Sequence, residues 1–205
     1  MAELVADRQQ LPDLKDLPAA AVEAQDIAEK YSGPKPKILT NKDATKAAFQ
    51  QFMENSDVIQ FAGHYLINPE FPLSSALVMA KSSDNEEDNF LTNAELRQEK
   101  LPRTKLVVLA GCQTGVEGYD NSEGLIGLSR TFLALGVPLV VASQWPVDSA
   151  ATAQLMKNFH QYRKQNGLST AKALQKAQLE MAADEQFSQP FYWASFAVFG
   201  GYAEF

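Results

Sequence analysis

The reactive side chains that stand out in this sequence are one thiol, Cys112, and two imidazoles, His64 and His160. A thiol that attacks a carbonyl needs a base within hydrogen-bond reach and a pair of donors for the oxyanion. The single cysteine means that any thiol chemistry in this chain is at Cys112. The local contexts of His64 and Cys112 are alike: the apolar run VIQFA and Gly63 lead into His64, and LVVLA and Gly111 lead into Cys112. In open α/β sheets, sites gather at the carboxyl ends of the strands. If the two strands are parallel neighbours, both side chains project from one sheet edge, and the preceding glycine allows a sharp turn and a close backbone approach. Two plainer readings stand beside this one. A lone cysteine at a strand end also serves as a small buried hydrophobe. His160 is a second candidate base, but beside Phe159 in mid-helix it reads as a histidine at the surface or the core edge.

The elements that must position these groups follow from hydrophobic period and punctuation. Ala20, Ala24, Ile27 and Tyr31 fall at helical spacing after Pro18, and Ser32-Gly33-Pro34 stops that helix. Pro36–Leu39 is a strand candidate, and Asn41 is a candidate cap for a helix with Ala44, Ala48 and Phe52 on one face. Strands are expected at Val58–Ala62 and Leu77–Ala80. Asp84, Glu86, Glu87 and Asp88 form an acidic loop without the ligand spacing or central glycine of a calcium site. Thr92 opens a short helix containing Leu96. The Val-rich runs LVVLA (106–110) and PLVVAS (138–143) suit strands buried on both faces. Between them, Glu123–Leu135 has helical period, ended by Gly136 and Pro138. Further helices are expected from Asp148 to Lys164 and after Ser169, and Ala194–Phe199 closes the chain as a strand. Strands alternating with helices give one layered α/β domain with a mostly parallel sheet over residues 18–205, after a loosely packed lead-in at 1–17.

Composition narrows the function classes. The 205 residues are 45% hydrophobic and 21% charged, with a net charge of −7. The 18 lysines and arginines are scattered, which argues against a nucleic-acid or anionic-membrane partner. No run approaches the roughly 18 apolar residues of a membrane span, and the start MAELVADRQQ has no signal-peptide core. One cysteine excludes an internal disulfide framework and disfavours a zinc or iron–sulfur cluster. A cytoplasmic protein is expected.

His64 and Cys112 are 48 positions apart, close to the interval of roughly 50 at which caspases place their histidine before their cysteine. The blocks VIQFAGHY, LVVLAGCQTG, EGLIGLSRTFLALGVPLVVASQWPVDSAATAQLM and PFYWASFAVFGG, in that order, resemble the CHAT family. These are caspase-like peptidase domains related to separase that commonly follow tetratricopeptide repeats. The resemblance runs from about Asp13 to Gly201. It implies a caspase-like three-layer α/β/α sandwich and a His-Cys dyad at His64 and Cys112. It also implies an oxyanion hole from the backbone amides of Tyr65 and Cys112, and a substrate-pairing strand end at Ser143, Gln144 and Trp145. Asp148 reads chiefly as a helix cap, and otherwise as a pocket acid for a basic substrate side chain. Trp145 and Trp193 read as core or pocket wall, and Glu117, Asp120 and Glu123 as residues of the loop after Cys112. The sequence departs from the family at Tyr65, where Gly is usual, which is expected to put a ring in the mouth of the site. Little chain precedes LPDLKDLPAAAVEAQDIAEKY, where the family has further strands. The sequence therefore reads as a fragment, a compact variant or half of a split assembly.

The expected function is a cysteine endopeptidase acting on a protein or peptide substrate through an acyl-enzyme, with no metal or cofactor. A tetratricopeptide-repeat domain or protein is the expected partner. The main alternative is a caspase-like interaction module without turnover, and a third reading is a small-molecule α/β hydrolase, which lacks the G-x-S-x-G elbow.

Overall fold

Two Val-rich segments, at 106–109 and 139–143, form the centre of the molecule because each is buried on both sides of its pleat. In the computed structural model, residues 14, 17–82, 86–111, 117–120 and 124–203 are described. Strands β1 (Val58–Phe61), β5 (Leu106–Leu109) and β8 (Leu139–Ser143) lie side by side in parallel, and β9 (Phe196–Gly200) closes the sheet antiparallel to β8. The order β1-β5-β8-β9 is a mostly parallel α/β sheet. Every residue of β5 and β8 is buried, as expected of strands with elements packed on both faces.

Alternate residues feed two cores. Val107, Leu109, Val140 and Ala142 meet Met53, Leu96, Leu128 and Phe132 on one face. Leu106, Val108, Leu139 and Val141 meet Ile27, Leu155, Met156, Phe159, Leu174 and Met181 on the other. Helices α1 (Pro18–Ala28), α5 (Ser149–Lys164) and α6 (Thr170–Ala183) cover the second face. Helices α2 (Lys46–Met53), α3 (Asn93–Leu96) and α4 (Leu128–Ala134) lie toward the first. On that side β2 (Tyr65–Leu66), β3 (Ala76–Val78) and β4 (Phe90–Thr92) form a small antiparallel sheet.

The helix starts follow their local chemistry. Thr92 and Glu95 complete a reciprocal capping box on α3. Asp148 and Ser169 accept backbone N–H bonds at the starts of α5 and α6. Other expectations fail. Pro36–Leu39 forms no strand, and Thr45, not Asn41, caps α2. Asn41 lies in a 3₁₀ turn at φ 50°, a left-handed conformation that asparagine tolerates. The helix expected from Glu123 begins only at Leu128. Residues 117–120 and 124–127 form instead the antiparallel pair β6 and β7, where Gly118, Gly124 and Gly127 carry little helix propensity. Glu123, Asp84 and, apart from residues 14 and 17, the lead-in lie outside the described residues.

Candidate active site

The parallel register brings the two candidate strand ends level. Val58 pairs with Leu106 and Phe61 with Leu109, and the Ala110 N–H continues the ladder to the Phe61 carbonyl at 2.8 Å. Ala62, Gly63 and His64 therefore leave β1 beside Ala110 and Gly111, which leave β5. Cys112 itself lies outside the described residues. A Cβ at Gly63 would sit 2.7 Å from Cζ of the Phe61 ring, so any larger residue there requires that ring to shift. His64 is half-buried, and its carbonyl accepts the Val78 N–H at 3.0 Å.

That bond also fixes Tyr65. With Val78 donating to His64, Tyr65 and Leu77 face each other as a non-hydrogen-bonded antiparallel pair, so the Tyr65 N–H points away from β3. The expectation that the Tyr65 ring stands in the mouth of the site is corrected. The ring is buried in the core, and its hydroxyl accepts from Asn93 Nδ2 at 3.0 Å. Burial pushes its phenol above the ordinary range, so it stays protonated. Side chains alternate along an extended segment, so a large residue after His64 can turn inward while its amide faces elsewhere.

The strand-end candidates divide. Ser143 is wholly buried, and its hydroxyl donates to the Gly111 carbonyl, which ties the end of β8 to the residue before Cys112. Gln144 is exposed, and its amide donates to the Ser195 carbonyl at 2.9 Å. Trp145 is half-buried, with Nε1 donating to the Phe191 carbonyl at 3.2 Å. Trp193 likewise donates through Nε1 to a carbonyl, that of Ser188. Asp148 Oδ1 accepts from the Ala151 N–H at 2.8 Å, which is the helix-cap reading.

A pocket of about 50 Å³ opens against His64, Gly63 and Gly111, with apolar walls from Leu17, Ala20, Ala62 and Val147. Two buried polar residues also line it: Glu23 of α1 and Thr152 of α5, each 3% exposed. Glu23 is the end of a buried hydrogen-bonded chain. Arg163 Nη1 donates to the Tyr31 hydroxyl at 3.3 Å, and Tyr31 meets His160 Nδ1 at 2.8 Å. His160 Nε2 meets Gln60 Oε1 at 3.1 Å, and Gln60 Nε2 donates to Glu23 Oε1 at 2.5 Å. One assignment of donors satisfies every link. Arg163 can only donate, so Tyr31 passes its own proton to Nδ1. His160 is then the Nε2–H tautomer, which leaves the Gln60 carbonyl accepting and its amide donating to Glu23. Burial holds the His160 imidazole down to about 3, with Arg163 adding to the effect. It pushes the Glu23 carboxyl up to about 8 against the opposing Gln60 bond.

The comparisons with known proteins agree with this architecture. The family model of the CHAT domain matches residues 4–201. The chain belongs to the CHAT domain family. Among curated relatives of this CHAT domain, human tetratricopeptide repeat protein 28 is 34% identical over 146 residues, which are 67% of this chain and 6% of that protein. The mouse protein of the same name is 36% identical over 110 residues, covering 54% of this chain and 4% of its own. The chain thus spans a small fraction of the length of the relatives it matches. Two crystal structures of the Saccharomyces cerevisiae separase–securin complex have the same fold. One aligns with TM-score 0.63 at 16% identity and the other with 0.57 at 15%. Each covers 97% of this chain and 13% of the other. No helix among the described residues is long and apolar enough to cross a membrane.

Sequence reasoning missed the polar chain in this CHAT domain. His160, expected at the surface or the core edge, is fully buried. Two signals were present. Glu23 lies one helical turn before Ile27 on the buried face of α1, and Gln60 interrupts the apolar run VIQFA on the α1 and α5 side. Neither signal shows what the other meets across the packed layers.

Proposed function

We propose that this CHAT domain is a cysteine endopeptidase in which Cys112 is the nucleophile and His64 its acid–base partner. One observation carries the reading: the register offset that pairs β1 with β5, residue 58 with 106 and 61 with 109, is the same 48 positions that separate His64 from Cys112. In this reading the Cys112 sulfur attacks the scissile carbonyl and His64 receives the thiol proton. The tetrahedral intermediate collapses by breaking the C–N bond, and His64 delivers the proton to the leaving amine. Water then attacks the thioester, His64 takes a proton from it, and the thiol regains its own as the carboxylate departs. A free thiol titrates at about 8.5, so the imidazole matters for supplying thiolate at neutral pH.

The amides of Tyr65 and Cys112 are the proposed oxyanion donors. Two facts support the Tyr65 assignment: its N–H is not used by the β3 ladder, and its ring is withdrawn into the core. Ser143, bonded to the Gly111 carbonyl, is proposed to position the residue before Cys112. Gln144 and Trp145 remain proposed contacts for an extended substrate, whose main chain would give affinity with little side-chain selectivity. A tetratricopeptide-repeat region, in the same chain or in another, is the proposed partner, on the names of the curated relatives. A cytoplasmic location fits a thiol enzyme kept reduced.

The test is cleavage of a diverse peptide library read by mass spectrometry, with wild type, Cys112→Ala and His64→Ala compared. Cuts that vanish in both variants are expected. Cuts that persist in a clean Cys112→Ala preparation would refute the assignment.

A further inference from the structure

We propose that the pocket beside His64 takes a lysine side chain, that of the residue preceding the cleaved bond, with Glu23 and Thr152 holding its ammonium. The inference rests on the peptidase reading for its place in the reaction, but not for the binding itself.

Three observations carry it. The first is the direction of the buried chain. With His160 as the Nε2–H tautomer, Arg163, Tyr31, His160 and Gln60 all donate toward Glu23, so four aligned links end on a carboxyl oxygen as acceptor. Aligned hydrogen bonds polarise one another, and this alignment favours the carboxylate over the acid. The second is that Glu23 Oε1 is taken by Gln60, and among the described residues Gln60 is the one hydrogen-bond partner of the Glu23 carboxyl. The other oxygen is available to a ligand in the pocket that Glu23 lines. The third is Thr152, whose Oγ1 is buried and has no hydrogen-bond partner among the described residues. A buried hydroxyl left without a partner is costly, and Thr152 lines the same pocket from α5.

A carboxylate and a hydroxyl on facing helices, above walls of Leu17, Ala20, Ala62 and Val147, suit a cation on an apolar stem. Size and donor geometry choose lysine over arginine. A volume of about 50 Å³ holds roughly three or four waters, which fits an unbranched stem better than a planar guanidinium. One free carboxyl oxygen cannot satisfy the two-pronged fork of arginine, whereas an ammonium bonds well to single acceptors. Burial holds the empty-site carboxyl protonated up to about 8, and an ammonium supplies the countercharge that lets it ionise.

The test uses the 205-residue chain as wild type, Glu23→Gln and Thr152→Val. Gln at position 23 retains an oxygen for the Gln60 amide, and circular dichroism checks that each variant folds. Saturation-transfer NMR compares Nα-acetyl-lysine methylamide with its norleucine counterpart, which has the stem without the ammonium. Cleavage is measured on paired peptides with lysine or norleucine before the scissile bond. In wild type, lysine should be preferred in both measurements by about tenfold or more, the ratio set by one charge-assisted hydrogen bond. The preference should collapse to within about twofold in Glu23→Gln and shrink in Thr152→Val. Equal treatment of lysine and norleucine by wild type, or an undiminished lysine preference in folded Glu23→Gln, would overturn the lysine site even if peptides are cut. Selective lysine binding with no cleavage of any peptide would keep the site and overturn the peptidase reading.

Discussion

Replacing Glu23 by Gln should flatten the loss of stability at alkaline pH. Burial moves this carboxyl from its ordinary 4.5 to about 8, so between those values the folded protein keeps a proton that the unfolded chain has released. The unfolded state then binds fewer protons, and stability falls as pH rises. The favourable contribution of Glu23 is complete below 4.5 and lost as pH rises through about 8. With ~1.4 kcal/mol for each tenfold change in proton affinity, the full span is on the order of 5 kcal/mol. His160 works in the opposite sense. Its imidazole is held from 6.5 down to about 3 by burial first and by Arg163 second, so its contribution is complete above 6.5 and lost as pH falls through about 3. The two slopes oppose each other between 4.5 and 6.5, and wild-type stability should peak there. Other charged groups at this helix contact, Asp26 and Lys157, form their own pair at 2.8 Å. Gln at position 23 has no charge to bury. Urea unfolding at about pH 5, 7 and 9 should therefore give midpoints that agree at the lowest value and diverge upward. The variant should be more stable than wild type by several kcal/mol at the highest. Parallel pH profiles for the two proteins would refute the argument, because they would mean that Glu23 ionises in the folded state without cost.

Asp148→Ala should remove the N-cap bond to Ala151 and cost ~1 kcal/mol. The residue preferred before the cut should not change, and a cleavage profile on the peptide library checks this against the urea midpoint. Gly63→Ala places a Cβ 2.7 Å from Phe61 Cζ and should destabilise by ~1–3 kcal/mol. Phe61→Leu in the same chain should recover much of that loss, measured as a double-mutant cycle. A cost of Gly63→Ala that is the same with and without the Phe61 ring would place its origin elsewhere.

Much of the fold was legible because its signals are local. The runs at 106–109 and 139–143 are Val-rich and uninterrupted, and they are the two fully buried strands. Thr92, Asp148 and Ser169 were readable as caps because each bonds an N–H three residues on, within one turn of chain. The two strand-end segments were readable too, since each runs from an apolar stretch through Gly into its candidate residue. That His64 leaves the sheet beside Gly111 follows from the β1–β5 register, which strand pairing decides and no local pattern encodes.

The rest depended on tertiary packing. Nothing in the sequence around Tyr65 tells whether its ring turns into the cleft or the core. The antiparallel pairing with Leu77 and the Asn93 side chain decide it. The stretch after residue 123 keeps a helical period, yet residues 124–127 pair as a strand, because β-structure is chosen by what lies across the ladder. The clearest case is the chain through positions 163, 31, 160, 60 and 23, drawn from two helices, a strand and the turn after α1. Each of these polar residues looks anomalous alone on an apolar face. Burial makes an unpaired polar group costly, so their meaning lies in the partner that packing brings from a distant part of the chain. Residue order determined the buried strands and the helix caps at Thr92, Asp148 and Ser169; only the closing of α1 and α5 over β1 gave Glu23 its partners and its pocket.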